Sequence, residues 1–184
     1  MPIADSIQHA IAMPEGVSAT MDGDTLSVQG PNASPKREFT SLTVNMQIDG
    51  SSIIIKTDLP RKIDKALAGT WKAHASNMVH GVQQDFEYRL KAVYSHFPMT
   101  LDAKGPNGTF MVKNYYGEKV PRTTPILDGV EITVMNRLEV IVTSADKEVA
   151  GQMAANIERL CGVGQRDRRV FQDGIYITSK GMRT

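Results

Sequence analysis

The chain has 184 residues, of which 41% are hydrophobic and 22% are charged, and its formal net charge is +1. This length accommodates one large domain or two small ones, and the balance of apolar and charged residues excludes an intrinsically disordered chain. The longest apolar runs, such as Ile53-Ile54-Ile55, are far shorter than the roughly 18 residues of a membrane-spanning helix. The N-terminus lacks the features of a secretory signal, so we expect a cytoplasmic protein. The single cysteine, Cys161, ends an apolar stretch and is predicted to be buried rather than reactive.

Charge is unevenly distributed along the chain. Residues 1–55 carry 2 Lys or Arg and 6 Asp or Glu, and residues 56–122 carry 11 and 6. Residues 123–164 carry 3 and 6, and residues 165–184 carry 5 and 2. Two acidic segments therefore alternate with two basic ones. This order is compatible with ordinary solvated faces, and equally with a one-sided basic surface of the kind that binds phosphate groups.

The first predicted elements are two hairpins. Residues 16–21 and 26–28 alternate apolar and polar side chains on either side of Asp22-Gly23-Asp24, which is typical of two strands joined by a tight turn. Residues 41–48 show the same alternation, and Asp49-Gly50 joins them to the apolar residues 52–56, so the two segments are predicted to form another hairpin.

An amphipathic helix is predicted after these hairpins. Its apolar residues recur at spacings of 4, 4 and 3, which places them on one helical face: Leu67, Trp71, Ala75 and Met78. Asp58 is the predicted start of the helix, because its side chain can accept from free amide groups. Gly81 is the predicted stop, in the left-handed conformation that glycine adopts at helix ends.

Three more strands are predicted in the middle of the chain. Residues 86–94 carry apolar side chains at every second position, from Phe86 to Tyr94, and residues 99–104 and 110–115 follow, with glycine and proline between them.

The pattern of the first half then returns. Residues 129–134 and 138–140 repeat the first hairpin, and a second apolar stripe repeats the spacing of 4, 4 and 3: Val149, Met153, Ile157 and Leu160. Ser144 is the predicted start of this helix and Gly162 its predicted left-handed stop. The repeat predicts an α+β fold made by tandem duplication, with domains at residues 1–82 and 83–184. Each domain is expected to pack one helix on a mainly antiparallel sheet.

No arrangement of residues predicts catalysis. A small enzyme using His96 with Asp85, Glu87 or Asp102 as acid and base is conceivable, but no nucleophile or orienting group is paired with this histidine in the sequence. His74 and His80 are six residues apart, which is the wrong spacing for a metal pair on a helix. We therefore predict no enzyme activity, no metal site and no cofactor.

Two segments instead suggest a polyanion-binding surface. Residues 110–122 combine three cations with an amide and two tyrosines, and residues 165–177 read as a basic strand that turns at Asp173-Gly174 into an apolar one. The planar guanidinium of arginine matches phosphate oxygens and stacks on bases. The alternative is that the aromatic residues fill the core and that the arginines form surface ion pairs.

Four segments also carry a family likeness: residues 87–98, 111–122, 146–158 and 168–177. Over residues 14–177 the chain resembles the sixth large-subunit ribosomal protein in its archaeal form, whose eukaryotic counterpart carries the number nine. The resemblance implies a duplicated α+β unit and a structural constituent of the large ribosomal subunit. In that family the C-terminal domain is the main binding domain for ribosomal RNA (rRNA), near the sarcin-ricin loop where translation factors dock.

Carried over residue by residue, the resemblance implies nine rRNA-binding residues: Lys113, Asn114, Arg122, Gln152, Asn156, Gln165, Arg166, Arg168 and Arg169. The cations are expected to neutralise phosphates, and the amides to bond to phosphate, sugar or base edges. The expected partners are large-subunit rRNA, neighbouring large-subunit ribosomal proteins and nearby translation factors, with no membrane and no small-molecule substrate. An adaptor that recruits a translation factor through its acidic faces is the competing hypothesis.

Overall fold

A computed structural model describes residues 6–95, 97–105, 108–164 and 166–182. The chain divides into two compact units, Met1–Gln84 and Asp85–Thr184. Each unit combines one long α-helix with antiparallel sheets, so the predicted α+β duplication is confirmed. No helix in these described ranges is long and apolar enough to cross a membrane.

The first unit contains two three-stranded antiparallel sheets and one helix. Its sheets have the strand orders β1-β6-β5 and β2-β3-β4. The elements are β1 (Ser6–Ala12), β2 (Ser18–Asp22), β3 (Thr25–Gln29), β4 (Lys36–Glu38), β5 (Asn45–Asp49), β6 (Ser52–Asp58) and α1 (Lys62–Gly81). The two predicted hairpins are β2-β3 and β5-β6.

The core of the first unit lies between α1 and these strands. Trp71 is 5% exposed and meets Phe39 edge to face, with ring centroids 5.3 Å apart. Ile53 and Ile55 are fully buried because alternate residues of a strand point to the same face. The predicted stripe is therefore the buried face of α1.

Both predicted ends of α1 are wrong. Asp58 belongs to β6, and the helix is instead capped by Asp64, whose Oδ2 accepts from the amide of Arg61 at 2.8 Å. Gly81 is the last helical residue, and Val82 continues in a right-handed conformation while its amide donates to the carbonyl of Met78 at 3.1 Å. The glycine therefore does not provide the left-handed stop that the sequence suggested.

The second unit contains two sheets with strand orders β11-β12-β7-β13 and β10-β9-β8, both antiparallel. Its elements are β7 (Phe86–Val93), β8 (Thr100–Gly105), β9 (Thr109–Lys113), a 3₁₀ turn (Tyr115–Gly117), β10 (Arg122–Pro125), β11 (Glu131–Met135), β12 (Glu139–Ser144), α2 (Lys147–Leu160) and β13 (Gly174–Met182).

Helix α2 packs its predicted stripe into the core of the second unit. Met153 and Ile157 are fully buried, and Cys161 is 6% exposed, as predicted. Asp146 caps the helix by accepting from the amide of Glu148 at 2.8 Å. Gly162 does not stop the helix in the left-handed conformation, since the first glycine with positive φ after α2 is Gly164.

The segment after α2 differs from its predicted form. Residues 166–172 are not a basic strand; they form turns, and pairing with β7 begins only at Gly174. The reason is Asp167, whose backbone and side-chain oxygens accept from the amides that follow it. Amides bonded in a tight turn cannot also extend a sheet.

Candidate nucleic-acid interface

A tyrosine pair after β9 forms the base of the candidate site. Tyr115 is 1% exposed, and its hydroxyl donates to the carbonyl of Cys161 at 2.6 Å, with the carbonyl of Asp173 at 3.1 Å. The Tyr116 hydroxyl lies 3.4 Å from the same Asp173 oxygen, and the two rings are 4.4 Å apart. Tyr115 therefore fills the core, and its phenol joins the end of α2 to the start of β13.

Burial controls the ionisation of two groups beneath the site, the Tyr115 hydroxyl and the Cys161 thiol. Desolvation raises the pKa of the Tyr115 hydroxyl well above its usual range, and it raises the pKa of the Cys161 thiol to about 11. Both groups are consequently neutral at physiological pH and act as structural groups.

Arg122 lies across Tyr115, with its guanidinium carbon 4.3 Å from the ring centroid. Its Nη1 donates to the carbonyls of Leu160 at 3.0 Å and Gly162 at 2.8 Å. Its Nε and Nη2 donate to the two carboxylate oxygens of Glu118, at 2.9 and 2.7 Å. These bonds lower the pKa of Glu118 and raise that of Arg122. Four of the five N–H groups of this guanidinium thus have partners within the protein.

Residues 166–171, called the arginine loop below, lie between α2 and β13. Asp167 organises the loop: its carbonyl accepts from the amides of Val170 at 3.2 Å and Phe171 at 2.9 Å, and its Oδ1 accepts from the amide of Arg169 at 2.9 Å. The loop is therefore a compact turn with a fixed backbone.

Arg166 packs on the aromatic side of this loop. Its guanidinium carbon lies 4.6 Å from the ring centroid of Tyr116 and 5.2 Å from that of Phe171. These two rings meet edge to face at 5.5 Å. The arrangement is a cation–π contact with two partners, which restrains the direction of Arg166.

Arg168 and Arg169 differ from Arg166. Both side chains are exposed, and neither guanidinium has a protein partner within the described ranges. The arginine loop thus presents two cations that are free to meet an anion. Their backbone is held in place by Asp167 on one side and by the tyrosine base on the other.

The C-terminal side of the loop is anchored by a buried carboxylate. Asp173 is 3% exposed, and its Oδ1 accepts from both the amide and the hydroxyl of Ser95, each at 3.1 Å. This connection ties the start of β13 to the segment after β7. It satisfies part of the hydrogen-bonding need of a charge that is costly to bury alone.

The remaining predicted residues have local partners. The Gln152 side chain donates to the Asn156 side chain at 2.8 Å, so the two amides lie side by side on one face of α2. Lys113 forms an ion pair with Asp102 at 3.4 Å, and Asn114 donates to the carbonyl of Pro98 at 2.9 Å. Asn114 also has a φ of 60°, so it has a conformational role as well. Gln165 lies outside the described residues.

Sequence reasoning missed the groups that support the arginines. Tyr116 and Asp167 were seen only as members of basic segments, and Asp173 only as a turn residue. The pairing of Glu118 with Arg122 could have been predicted from the sequence, since Glu118 lies four residues before Arg122 and has the opposite charge. No group of three or more His, Cys, Asp or Glu in the described residues is arranged to hold a metal ion.

Comparison with known proteins decides the family. The profile of the ribosomal protein L6 family matches residues 13–85 and again residues 97–174, one match in each half of the chain. The large ribosomal subunit protein uL6 of Methanobrevibacter smithii is 41% identical over 180 residues, which cover 98% of this chain and 99% of that protein. The uL6 of Methanococcus vannielii is 39% identical over 180 residues, covering 98% and 97%. The chain belongs to the uL6 family.

Membership of the uL6 family makes the chain a structural component of the large ribosomal subunit, and hence of a cytoplasmic particle. It also excludes the hypothesis of a small enzyme built around His96, a residue outside the described ranges. The double match of one family profile agrees with the duplicated fold, because each copy corresponds to one helix with its sheets.

Proposed function

We propose that this uL6 protein binds large-subunit rRNA chiefly through its second unit, near the sarcin-ricin loop and the docking site of translation factors. The observation that carries the proposal is the arginine loop, where Arg168 and Arg169 are exposed on a backbone that is fixed by internal hydrogen bonds. Cations on a preorganised backbone bind phosphates well because little loop entropy remains to be lost on binding.

Each predicted residue has a role in this proposal. Arg168 and Arg169 neutralise phosphates, together with Lys113, whose Nζ shares its charge with Asp102. Gln152 and Asn156 retain amide groups beyond their mutual bond, and these suit sugar hydroxyls or base edges. Gln165 and Asn114 remain predicted contacts.

Arg122 and Arg166 have a different role in the proposal: they position the loop. Four N–H groups of Arg122 are bonded within the protein, and Arg166 lies against two aromatic rings. A guanidinium used in this way has little left to offer a phosphate. It fixes the direction in which its neighbours point.

The first test is sedimentation with large subunits through a sucrose gradient in high salt. We expect the tagged chain to remain with the large subunits after the wash. The double variant Arg168→Ala/Arg169→Ala should dissociate at lower salt, since each lost phosphate contact reduces the slope of log K against log salt by about 1. The matched control, Lys36→Ala/Lys72→Ala, removes the same charge from exposed positions of β4 and α1 in the first unit.

Equal loss in both double variants would contradict the role of the arginine loop. Recovery of the chain only in ribosome-free fractions would contradict rRNA binding altogether and would favour the adaptor hypothesis.

The location is tested separately by directed hydroxyl-radical cleavage. The natural Cys161 is buried, so a cysteine introduced as Arg168→Cys would be the reactive thiol for attaching an iron chelate. We expect cleavage of the sarcin-ricin loop from position 168 and none from a control Lys72→Cys, at an exposed position of α1. Cleavage of another rRNA segment would refute the proposed location while leaving rRNA binding intact.

A further inference from the structure

Three large aliphatic side chains of the first unit are exposed. Leu42 is fully exposed, and Leu59 and Ile63 are 73% and 78% exposed. They come from three segments: the loop before β5, the connection after β6 and the first turn of α1. Side chains this exposed contribute little to folding, because most of their apolar surface stays in water.

Two hydrogen bonds hold these segments together. The Thr43 hydroxyl donates to Asp64 Oδ1 at 2.7 Å, and the Thr57 hydroxyl donates to the Thr43 carbonyl at 2.9 Å. Thr43 is adjacent to Leu42, Asp64 is adjacent to Ile63, and Thr57 is two residues before Leu59. The two hydrogen bonds therefore bring together the three segments that carry Leu42, Leu59 and Ile63, and these exposed side chains are called here the aliphatic patch.

The backbone at Leu59 is strained. Its φ is 47°, in the left-handed region that favours glycine, and it precedes the buried Pro60. A leucine at this position costs free energy and gains almost no burial in the unit itself. Strained residues of this kind are concentrated at functional sites, where the gain comes from a ligand or partner.

The patch has a cationic rim. Arg61, Lys62 and Lys65 are exposed beside Ile63 at the start of α1. They outnumber the acids of this stretch, since Asp58 forms an ion pair with Lys56 at 3.4 Å and Asp64 is the other carboxylate of residues 56–65. This rim contrasts with the acidic composition of residues 1–55. An acidic partner surface would complement it.

We infer that the aliphatic patch binds a neighbouring protein of the large subunit, through a segment that presents apolar side chains flanked by Asp or Glu. A protein fits better than rRNA because leucine and isoleucine neither stack on bases nor bond to phosphate, sugar or base edges. An apolar patch with a charged rim is the usual composition of a protein–protein interface. The inference does not depend on the arginine loop, which lies in the second unit.

Photocrosslinking in intact, salt-washed large subunits tests this inference. The chain would carry p-benzoylphenylalanine in place of Ile63, or, as a control, in place of the exposed Val120 of the second unit. We expect an adduct from position 63 that survives nuclease, is lost on protease treatment and maps to an acidic, apolar-bearing segment. No adduct, an adduct removed by nuclease, or one on a segment without acidic residues would overturn the inference.

A second variant separates recognition from folding. Leu59→Gly removes the side chain and places at a φ of 47° the residue that best tolerates it, so the fold should be retained. Combined with Leu42→Ser, it should reduce the yield of the position-63 adduct at least fivefold, with no change in the salt resistance conferred by Arg168 and Arg169. An unchanged adduct yield would show that the patch is not the contact.

Discussion

Arg122 is the residue whose replacement should most clearly separate support of the loop from RNA contact. Arg122→Ala removes two hydrogen bonds to carbonyls at the end of α2, the paired bonds to Glu118 and the contact with the Tyr115 ring. The carbonyl bonds contribute about 1 kcal/mol each. The partly exposed ion pair contributes about 0.5 kcal/mol, and the cation–π contact about 0.5 kcal/mol. The expected loss in the free energy of unfolding is therefore about 3 kcal/mol.

Arg122→Lys should lose about 2 kcal/mol, although it keeps the charge, because an ammonium group cannot form both pairs of bonds at once. Urea unfolding followed by circular dichroism measures both values, and hydrogen exchange at the amides of residues 166–171 measures the local effect. Arg159→Ala is the matched control. It removes an exposed arginine from the last turn of α2, the helix whose end Arg122 contacts, and should lower the free energy of unfolding by about 0.5 kcal/mol or less.

The reasoning also specifies pH dependence. Arg122 lowers the pKa of Glu118, so the contribution of this pair is present at neutral pH and is lost as the pH falls through the lowered pKa. Arg122→Ala and the unmodified chain should therefore approach each other in stability in acid. A difference of about 0.5 kcal/mol or less at pH 7 between the free energies of unfolding of Arg122→Ala and the unmodified chain would refute the support role. Such a difference is smaller than the contribution of a single hydrogen bond.

Three further outcomes are expected. A Cβ at Gly30 would lie 2.6 Å from Val82 Cβ, so Gly30→Ala should lower the free energy of unfolding of the first unit, measured in urea, by about 2 kcal/mol. Gly69 lies in the interior of α1 with open space around it, so Gly69→Ala should raise this free energy by about 0.5–1 kcal/mol. Arg137→Gly should raise the melting temperature, because Arg137 has a φ of 60° in the β11-β12 turn; a fall would contradict the assigned turn. The raised pKa of Cys161 keeps its thiol neutral, so disulfide exchange at pH 8 should require unfolding, and rapid labelling of the folded chain would refute this. The contribution of the neutral thiol to the free energy of unfolding should be full below pH 9 and should be lost as the pH rises towards 11.

Periodicity predicted the elements of the fold but not their ends. The stripe of Trp71, Ala75 and Met78 is buried as expected, because apolar spacing is a property of one helix face and is visible in the chain itself. The ends depended on contacts that the local sequence does not contain. Asp64 caps α1 together with Thr43, a residue 21 positions away.

The candidate site shows the same division. The cations were visible as residue types, whereas their roles depended on what surrounds them. Arg122 and Arg168 look alike in the sequence, yet one guanidinium is bonded to Glu118 and two helix-end carbonyls while the other is exposed. Asp167 was counted as a charge, but its oxygens bend the segment that was predicted to be a strand.

The internal neutralisation of cations bears on how the protein selects its RNA. Glu118 offsets Arg122 and Asp102 offsets Lys113, so these two cations of the second unit produce little field beyond the surface. A chain with a net charge of +1 has weak long-range attraction to nucleic acid in general. In the binding mode proposed above, affinity depends on phosphates that match Arg168 and Arg169 on a backbone fixed by Asp167, which disfavours retention on the many unrelated RNAs of the cell.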